Sequence, residues 1–115
     1  MPETIENPED AKLLTLAKAA RARLGVKLGA AVRDQDGRTY AAASVKLPSY
    51  ELAAPALAVA MAVSSGAKDL EAAAVVAEHG LNAIIDLEPF RDLGGKGLPV
   101  LVGDDAGTLL VVRYT

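Results

Sequence analysis

Residues 44–66 read Ser-Val-Lys-Leu-Pro-Ser-Tyr-Glu-Leu-Ala-Ala-Pro-Ala-Leu-Ala-Val-Ala-Met-Ala-Val-Ser-Ser-Gly, and this stretch decides the fold. It reads as the end of a strand, a short polar turn and an alanine-rich helix. Pro55 sets the helix start, because a missing N–H is harmless in a first turn. Gly66 closes the helix, as the left-handed residue that commonly ends one. From Ala56 to Val63 every residue is apolar, so the helix is expected to be buried on all sides, under sheet, other helices or another subunit.

Upstream, Asn7-Pro8-Glu9-Asp10 is a strong helix start: a capping side chain, a proline in the first turn and two carboxylates at the positive end of the dipole. Leu13, Leu14, Leu16, Ala17, Ala20 and Leu24 recur at helical spacing as one buried face, and Gly25 ends the helix. Residues 28–33 and 39–45 are strand-like runs around Asp34-Gln35-Asp36-Gly37, a hairpin signal. Their small residues, Gly29, Ala30, Ala31, Ala41, Ala42 and Ala43, imply close packing of another element, with the helix after Pro55 the first candidate.

Downstream, residues 72–77 form a continuous apolar run that fits a strand covered on both faces. Residues 81–87 suit a short helix that Pro89 should end or kink, since the residue before a proline is pushed from helical angles. Residues 90–93 add a turn, Gly94-Gly95-Lys96-Gly97 is a plain loop, and residues 98–102 and 108–113 make a second hairpin around Asp104-Asp105-Ala106-Gly107. The order α-β-β-α-β-α-β-β predicts an α/β protein, a mixed five-stranded sheet with helices on its faces in three layers. Residues 1–7 read as a flexible start and 8–115 as one domain.

The 115 residues carry a formal net charge of −3, with 51% hydrophobic but 3% aromatic residues. A core of Ala, Val and Leu buries little area per side chain, so at roughly 25 cal/mol per Å² the monomer gains from association. Mixed charges without a basic patch argue against nucleic acid. The acidic start lacks a signal peptide's apolar segment, and the central apolar helix is shorter than the ~20 residues that span a bilayer. The expectation is a cytoplasmic protein with neither nucleic-acid nor membrane partners. With no cysteine, disulfides and thiolate chemistry are excluded.

This element order, with Leu28-Gly29-Ala30-Ala31-Val32, Asp36-Gly37-Arg38-Thr39-Tyr40, Tyr50 and Ala62-Val63-Ser64-Ser65-Gly66, resembles the small cytidine deaminases over most of the chain. The resemblance implies a zinc enzyme: one Cys or His at the start of the central helix, two Cys opening the next, and a Glu that shuttles the proton. It aligns the first ligand with Ala53, the shuttle with Pro55 and the two cysteines with Ala83 and Asp86. The family's nucleoside-holding Asn and Glu fall at Ser44 and Lys46, and its aromatic before the first strand at Val26. The resemblance thus implies a degenerate relative with the zinc site lost, no cofactor and no catalytic residue. It also implies a homo-oligomer, a dimer or tetramer, with the central helix near the interface and a small nucleoside-like molecule as the candidate ligand.

Other residues stand in this pocket. His79, the single histidine, beside Glu78, would join Asp86 and Glu51 as a replacement metal set, but one His with carboxylates is a poor zinc site; a loop histidine is the plainer reading. Glu51 reads as a first-turn carboxylate at a helix start, or else as a base. Lys46 reads as a solvated or ion-paired lysine, or else as a binder of something acidic. Ser44 and Ser49 lack a His or Asp at motif spacing to activate them. A pocket bounded by Ser44, Lys46, Glu51, Ala53, Pro55, His79, Ala83 and Asp86 is therefore expected to be vestigial.

Overall fold

The computed structural model describes residues 7–78 and 85–115. Helix α1 (Pro8–Leu24) begins as its sequence dictates: Asn7 Oδ1 accepts the Glu9 N–H at 2.9 Å, and Gly25, at φ 64°, closes it with its N–H on Arg21 O. Leu13, Leu14, Ala17 and Ala20 are buried. Leu24, expected on that face, is 60% exposed, because it lies where the helix runs past the sheet into its cap.

Strands β1 (Leu28–Asp34) and β2 (Thr39–Ala43) pair antiparallel. Asp34 organises their turn: Oδ1 accepts the N–H groups of Asp36 and Arg38 at 2.9 and 3.0 Å, while Oδ2 accepts the Tyr40 hydroxyl at 2.9 Å. The carboxylate thereby satisfies donors that a tight turn leaves unpaired.

Beyond β2 the structure departs from the sequence reading. In place of a longer strand and a polar turn, β3 (Val45–Leu47) and β4 (Tyr50–Leu52) make a separate two-stranded sheet. Helix α2 (Ala54–Ser64) follows, with Pro55 in its first turn. Gly66, at φ 99°, completes its end: the Gly66 N–H reaches Val63 O and the Ala67 N–H reaches Ala62 O, the paired bonds of a Schellman ending. The helix is not buried all round. Ala54, Pro55, Ala58, Val59 and Ala62 are buried, but Met61 and Val63, on the two flanks of that face, are 38% and 52% exposed.

Strand β5 (Leu70–Ala77) is buried from Ala72 to Ala77, as a strand covered on both faces must be. Of the helix expected over residues 81–87, residues 81–84 lie outside the described segments and residues 85–87 are not helical. The next helix among the described residues is α3 (Glu88–Gly94), and Pro89 sits in its first turn. Pro89 opens this helix where it was expected to end the preceding one, because proline fits a first turn better than any later position. Gly94 belongs to α3 and not to the loop; a Cβ there would meet Leu98 Cδ2 at 2.9 Å. Strands β6 (Pro99–Gly103) and β7 (Leu109–Tyr114) complete the chain.

The main sheet runs β2-β1-β5-β6-β7, with β5–β6 parallel and the other pairs antiparallel. Alternate residues of β5 divide the core in two. Ala72, Ala74 and Val76 pack with Leu13, Leu14 and Ala17 of α1, while Ala73 and Val75 pack with Ala58, Val59 and Ala62 of α2 and Phe90 of α3. Three layers result, as expected. The small residues answer to both helices, and at Gly29 the close neighbour is α1, not α2: a Cβ there would overlap Ala17 O and meet Arg21 Cβ at 2.8 Å.

Candidate functional site

A cleft of about 590 Å³ opens between the end of α1 and the β3–β4 hairpin. One wall is Gly25, Val26, Lys27 and Leu28; the other is Val45, Lys46, Glu51 and Leu52; Ser44, Ala53 and Glu78 complete it. The topology makes the cleft, because β1 and β5 lie side by side and the Glu78 N–H binds Lys27 O at 2.9 Å. That holds the end of β5 against the chain entering β1. A volume of this size suits a small organic ligand.

Of the eight residues expected to bound the pocket, Ser44, Lys46, Glu51 and Ala53 line the cleft, together with Val26, aligned with the family's aromatic, and Glu78. Ser44 is engaged in structure, its Oγ accepting the Ala54 N–H at 3.0 Å and its N–H donating to Leu28 O at 3.1 Å. Glu51 is not on a helix. It lies on β4 opposite Lys46, whose Nζ is 3.5 Å from Glu51 Oε1, with the two side chains 82% and 66% exposed. Such a solvent-exposed pair contributes about 0–1 kcal/mol, and Lys46 is the solvated, ion-paired lysine of the plainer reading.

Ala53 is the exposed N-cap of α2 and offers no side-chain bond, and Pro55 is buried beneath it. Asp86 does not line the cleft; its Oδ1 accepts the Glu88 N–H at 3.0 Å at the start of α3. His79 and Ala83 lie outside the described residues.

Among the described residues, the start of α2 offers no side-chain donor for the zinc that the resemblance implies. Zinc needs three or four N, S or O donors converging on one point. The start of α2 presents a methyl group and a pyrrolidine ring, and the Asp86 oxygen is spent on a helix start. Among the described residues, no three His, Cys, Asp or Glu side chains are grouped so as to hold a metal ion.

Sequence reasoning missed Gly25, Lys27 and Leu28 as cleft walls. Their signal was Gly25 itself, since a helix ended there delivers the next residues to the start of β1. It also missed two polar clusters remote from the cleft. Arg33, 8% exposed, has Nη2 2.9 Å from Asp10 Oδ1 and donates from Nε to Glu71 Oε1 at 2.9 Å. Burial works against the Arg33 charge, but the bonds to Glu71 and Asp10 outweigh it and raise its pKa. Burial likewise opposes the Asp34 charge, yet the Tyr40 hydroxyl and the turn N–H groups prevail and hold its carboxyl below the usual range. Burial and Asp34 together push the Tyr40 phenol up.

Known proteins place the fold. The crystal structure of cytidine deaminase from Burkholderia pseudomallei is similar at a TM-score of 0.73 with 30% identity, over 90% of this chain and 89% of that one. Cytidine deaminase from Mycobacterium leprae gives 0.67 and 23% identity, covering 90% of each chain. That from Mycobacterium tuberculosis gives 0.63 and 26%, over 77% of this chain and 80% of that one. No curated protein sequence matches the chain. The sequence profile of the cytidine deaminase-like family matches residues 6–107, and the chain therefore belongs to the cytidine deaminase-like family.

Proposed function

We propose that this chain is a non-catalytic member of its family, a pseudoenzyme that self-associates and keeps the cleft for a binding or structural role. The observation that carries the proposal is the start of α2, where Ala53 and Pro55 occupy the positions that the resemblance aligns with a metal ligand and the proton-shuttling Glu. Without a metal to acidify water or a carboxylate to move its proton, the acid–base chemistry of deamination has no agent here. The absence of cysteine and the engagement of Asp86 at α3 support the same reading.

Self-association is supported by the exposed apolar side chains of Met61 and Val63 on the two flanks of α2 and by a core of small side chains with little area to spare. The retained cleft, about 590 Å³, supports binding of a small nucleoside-like molecule. In this reading the protein is a single cytoplasmic domain over residues 8–115. No helix among the described residues is long and apolar enough to cross a membrane.

The test is turnover. The purified chain, supplied with zinc and with cytidine, is assayed for uridine by chromatography. No uridine above the uncatalysed background is expected; turnover that tracks the protein through a final purification step refutes the proposal.

A further inference from the structure

Two backbone bonds fix the phase of the β1–β2 pair: the Asp34 N–H reaches Arg38 O at 2.9 Å and the Ser44 N–H reaches Leu28 O at 3.1 Å. Hydrogen-bonded pairs alternate along an antiparallel ladder. With Val32 opposite Tyr40 and Ala30 opposite Ala42, Tyr40 and Ala42 therefore direct their N–H and C=O groups to β1. Thr39, Ala41 and Ala43 direct theirs the other way. Because β2 is the last strand of the main sheet, those groups meet no strand among the described residues.

Sheet edges are ordinarily guarded by charges, prolines, bulges or a covering element. The opposite edge, β7, carries Arg113 and a register shift against β6. On β2, Thr39-Tyr40-Ala41-Ala42-Ala43 holds neither a charge nor a proline, and its pairing with β1 runs without a shift. This edge is left open to another strand.

We propose that β2 pairs antiparallel with β2 of a second copy, about a two-fold axis at Ala41, so that the two main sheets become one. A two-fold contact requires a surface complementary to itself, and this strand meets the requirement. With Ala41 opposite Ala41, Thr39 falls opposite Ala43, and every outward N–H and C=O of the three residues finds a partner. Tyr40, the one large side chain of the strand, falls opposite Ala42, which leaves room for it.

The helix layer fits the same axis. Helix α2 packs on β1 and β2 alike, so it lies about half a strand spacing inward from the edge, the full spacing being about 4.8 Å. Two half spacings and one whole place the paired α2 helices antiparallel and about 10 Å apart, within the range at which helices pack. The flanks turned to each other carry Leu57, Met61 and Ser64, beside a groove of about 350 Å³ that Tyr40 also lines. Met61, 38% exposed, is thereby covered. An extended segment of another protein would find the same edge but would bring no second α2. The inference rests on the self-association proposed above and names its surface; it does not depend on zinc or on catalysis.

Hydrogen exchange resolved by residue, on the unaltered chain at concentrations where light scattering shows it assembled, tests the pairing. The amides of Thr39, Ala41 and Ala43 are expected to be protected to within about tenfold of Tyr40 and Ala42. Exchange of those three at least about a hundredfold faster in an assembled chain overturns the proposal and leaves self-association to another surface. A monomer at every concentration removes both. The cysteine-free chain allows a second measurement, mild oxidation of Ala41→Cys and of Thr39→Cys followed by mass under non-reducing conditions. Across the axis the Ala41 Cα atoms lie about 5.5 Å apart, within disulfide reach, and the Thr39 Cα atoms, four residues out of step, about 13 Å apart. Chains are expected to link in twos at least about tenfold faster through Ala41→Cys; equal rates, or no link, overturn the proposal.

Discussion

The hydroxyl of Ser44 accepts the backbone N–H of Ala54 at 3.0 Å, and this bond joins the residue after β2 to the first turn of α2. Ala53, the N-cap residue, has no side-chain oxygen and makes no cap bond, so the cap comes from ten residues upstream. Ser44→Ala leaves a helix-start donor unmet and should cost about 1 kcal/mol, lowering Tm by about 5 °C. Thermal unfolding followed by circular dichroism checks it, and an unchanged Tm means that water replaces the cap without loss.

Gly29 and Gly25 separate two reasons for glycine. Gly29→Ala forces a methyl group into Ala17 O and Arg21, so α1 must lift from β1; a loss of at least about 2 kcal/mol is expected. Gly25→Ala meets nothing within 4 Å but must adopt φ 64°, at a cost of about 1–2 kcal/mol. Urea unfolding of both variants should rank Gly29→Ala as the more damaging.

The Arg33 cluster should respond unequally. Arg33→Ala strands Asp10, whose side chain is 22% exposed, and a loss of about 3 kcal/mol is expected for breaking a pair that far from water. Glu71→Ala leaves Arg33 still paired with Asp10 and removes only a half-exposed carboxylate, 47% exposed, so it should cost less, about 1 kcal/mol. Equal losses in the two variants would contradict this assignment.

Asp34 and Tyr40 set the pH limits of their turn. Because the folded Asp34 pKa is lowered, its contribution is present above the ordinary aspartate value of about 3.9 and is lost as pH falls through the folded value. The raised Tyr40 pKa works at the other end: its contribution is present below the ordinary tyrosine value of about 10 and is lost as pH rises through the folded value. Tyr40→Phe should flatten the alkaline fall in Tm and shrink the acid one, and Asp34→Asn should remove the acid fall. Melts between pH 2 and 11 read both.

Charged residues on the exposed flanks of α2 should oppose self-association. Met61→Glu with Val63→Glu replaces two exposed apolar side chains, so the monomer fold is expected to survive while the assembled mass falls. Light scattering at micromolar concentration checks it; a parent chain already monomeric there removes self-association from the account.

Most of the fold was legible because local chemistry and tertiary packing agree. Asn7-Pro8 starts α1 and Gly25 and Gly66 end helices, and the Ala72 to Ala77 run is buried on both faces. Pro89 was misread because a proline marks a helix boundary without saying on which side the helix lies. The β3–β4 hairpin was missed because strands of three residues give too few alternations to register as a period. At the site, Ser44, Lys46, Glu51 and Ala53 were found at the cleft. The Lys46–Glu51 pairing was not, since it depends on a register fixed by the turn between them. Leu24 and the exposed flanks of α2 were misjudged for a related reason: an apolar residue states a preference for burial, but the number of neighbours in the fold decides whether it is met.

The central claim is that the start of α2 no longer holds zinc, and metal content tests it most directly. The full chain is equilibrated with excess zinc at neutral pH, passed through a desalting column and analysed by mass spectrometry for metal per chain. The account predicts far less than one zinc per chain, since a set of donors this poor releases the ion during separation. One zinc retained per chain, and lost only to a strong chelator, would contradict it.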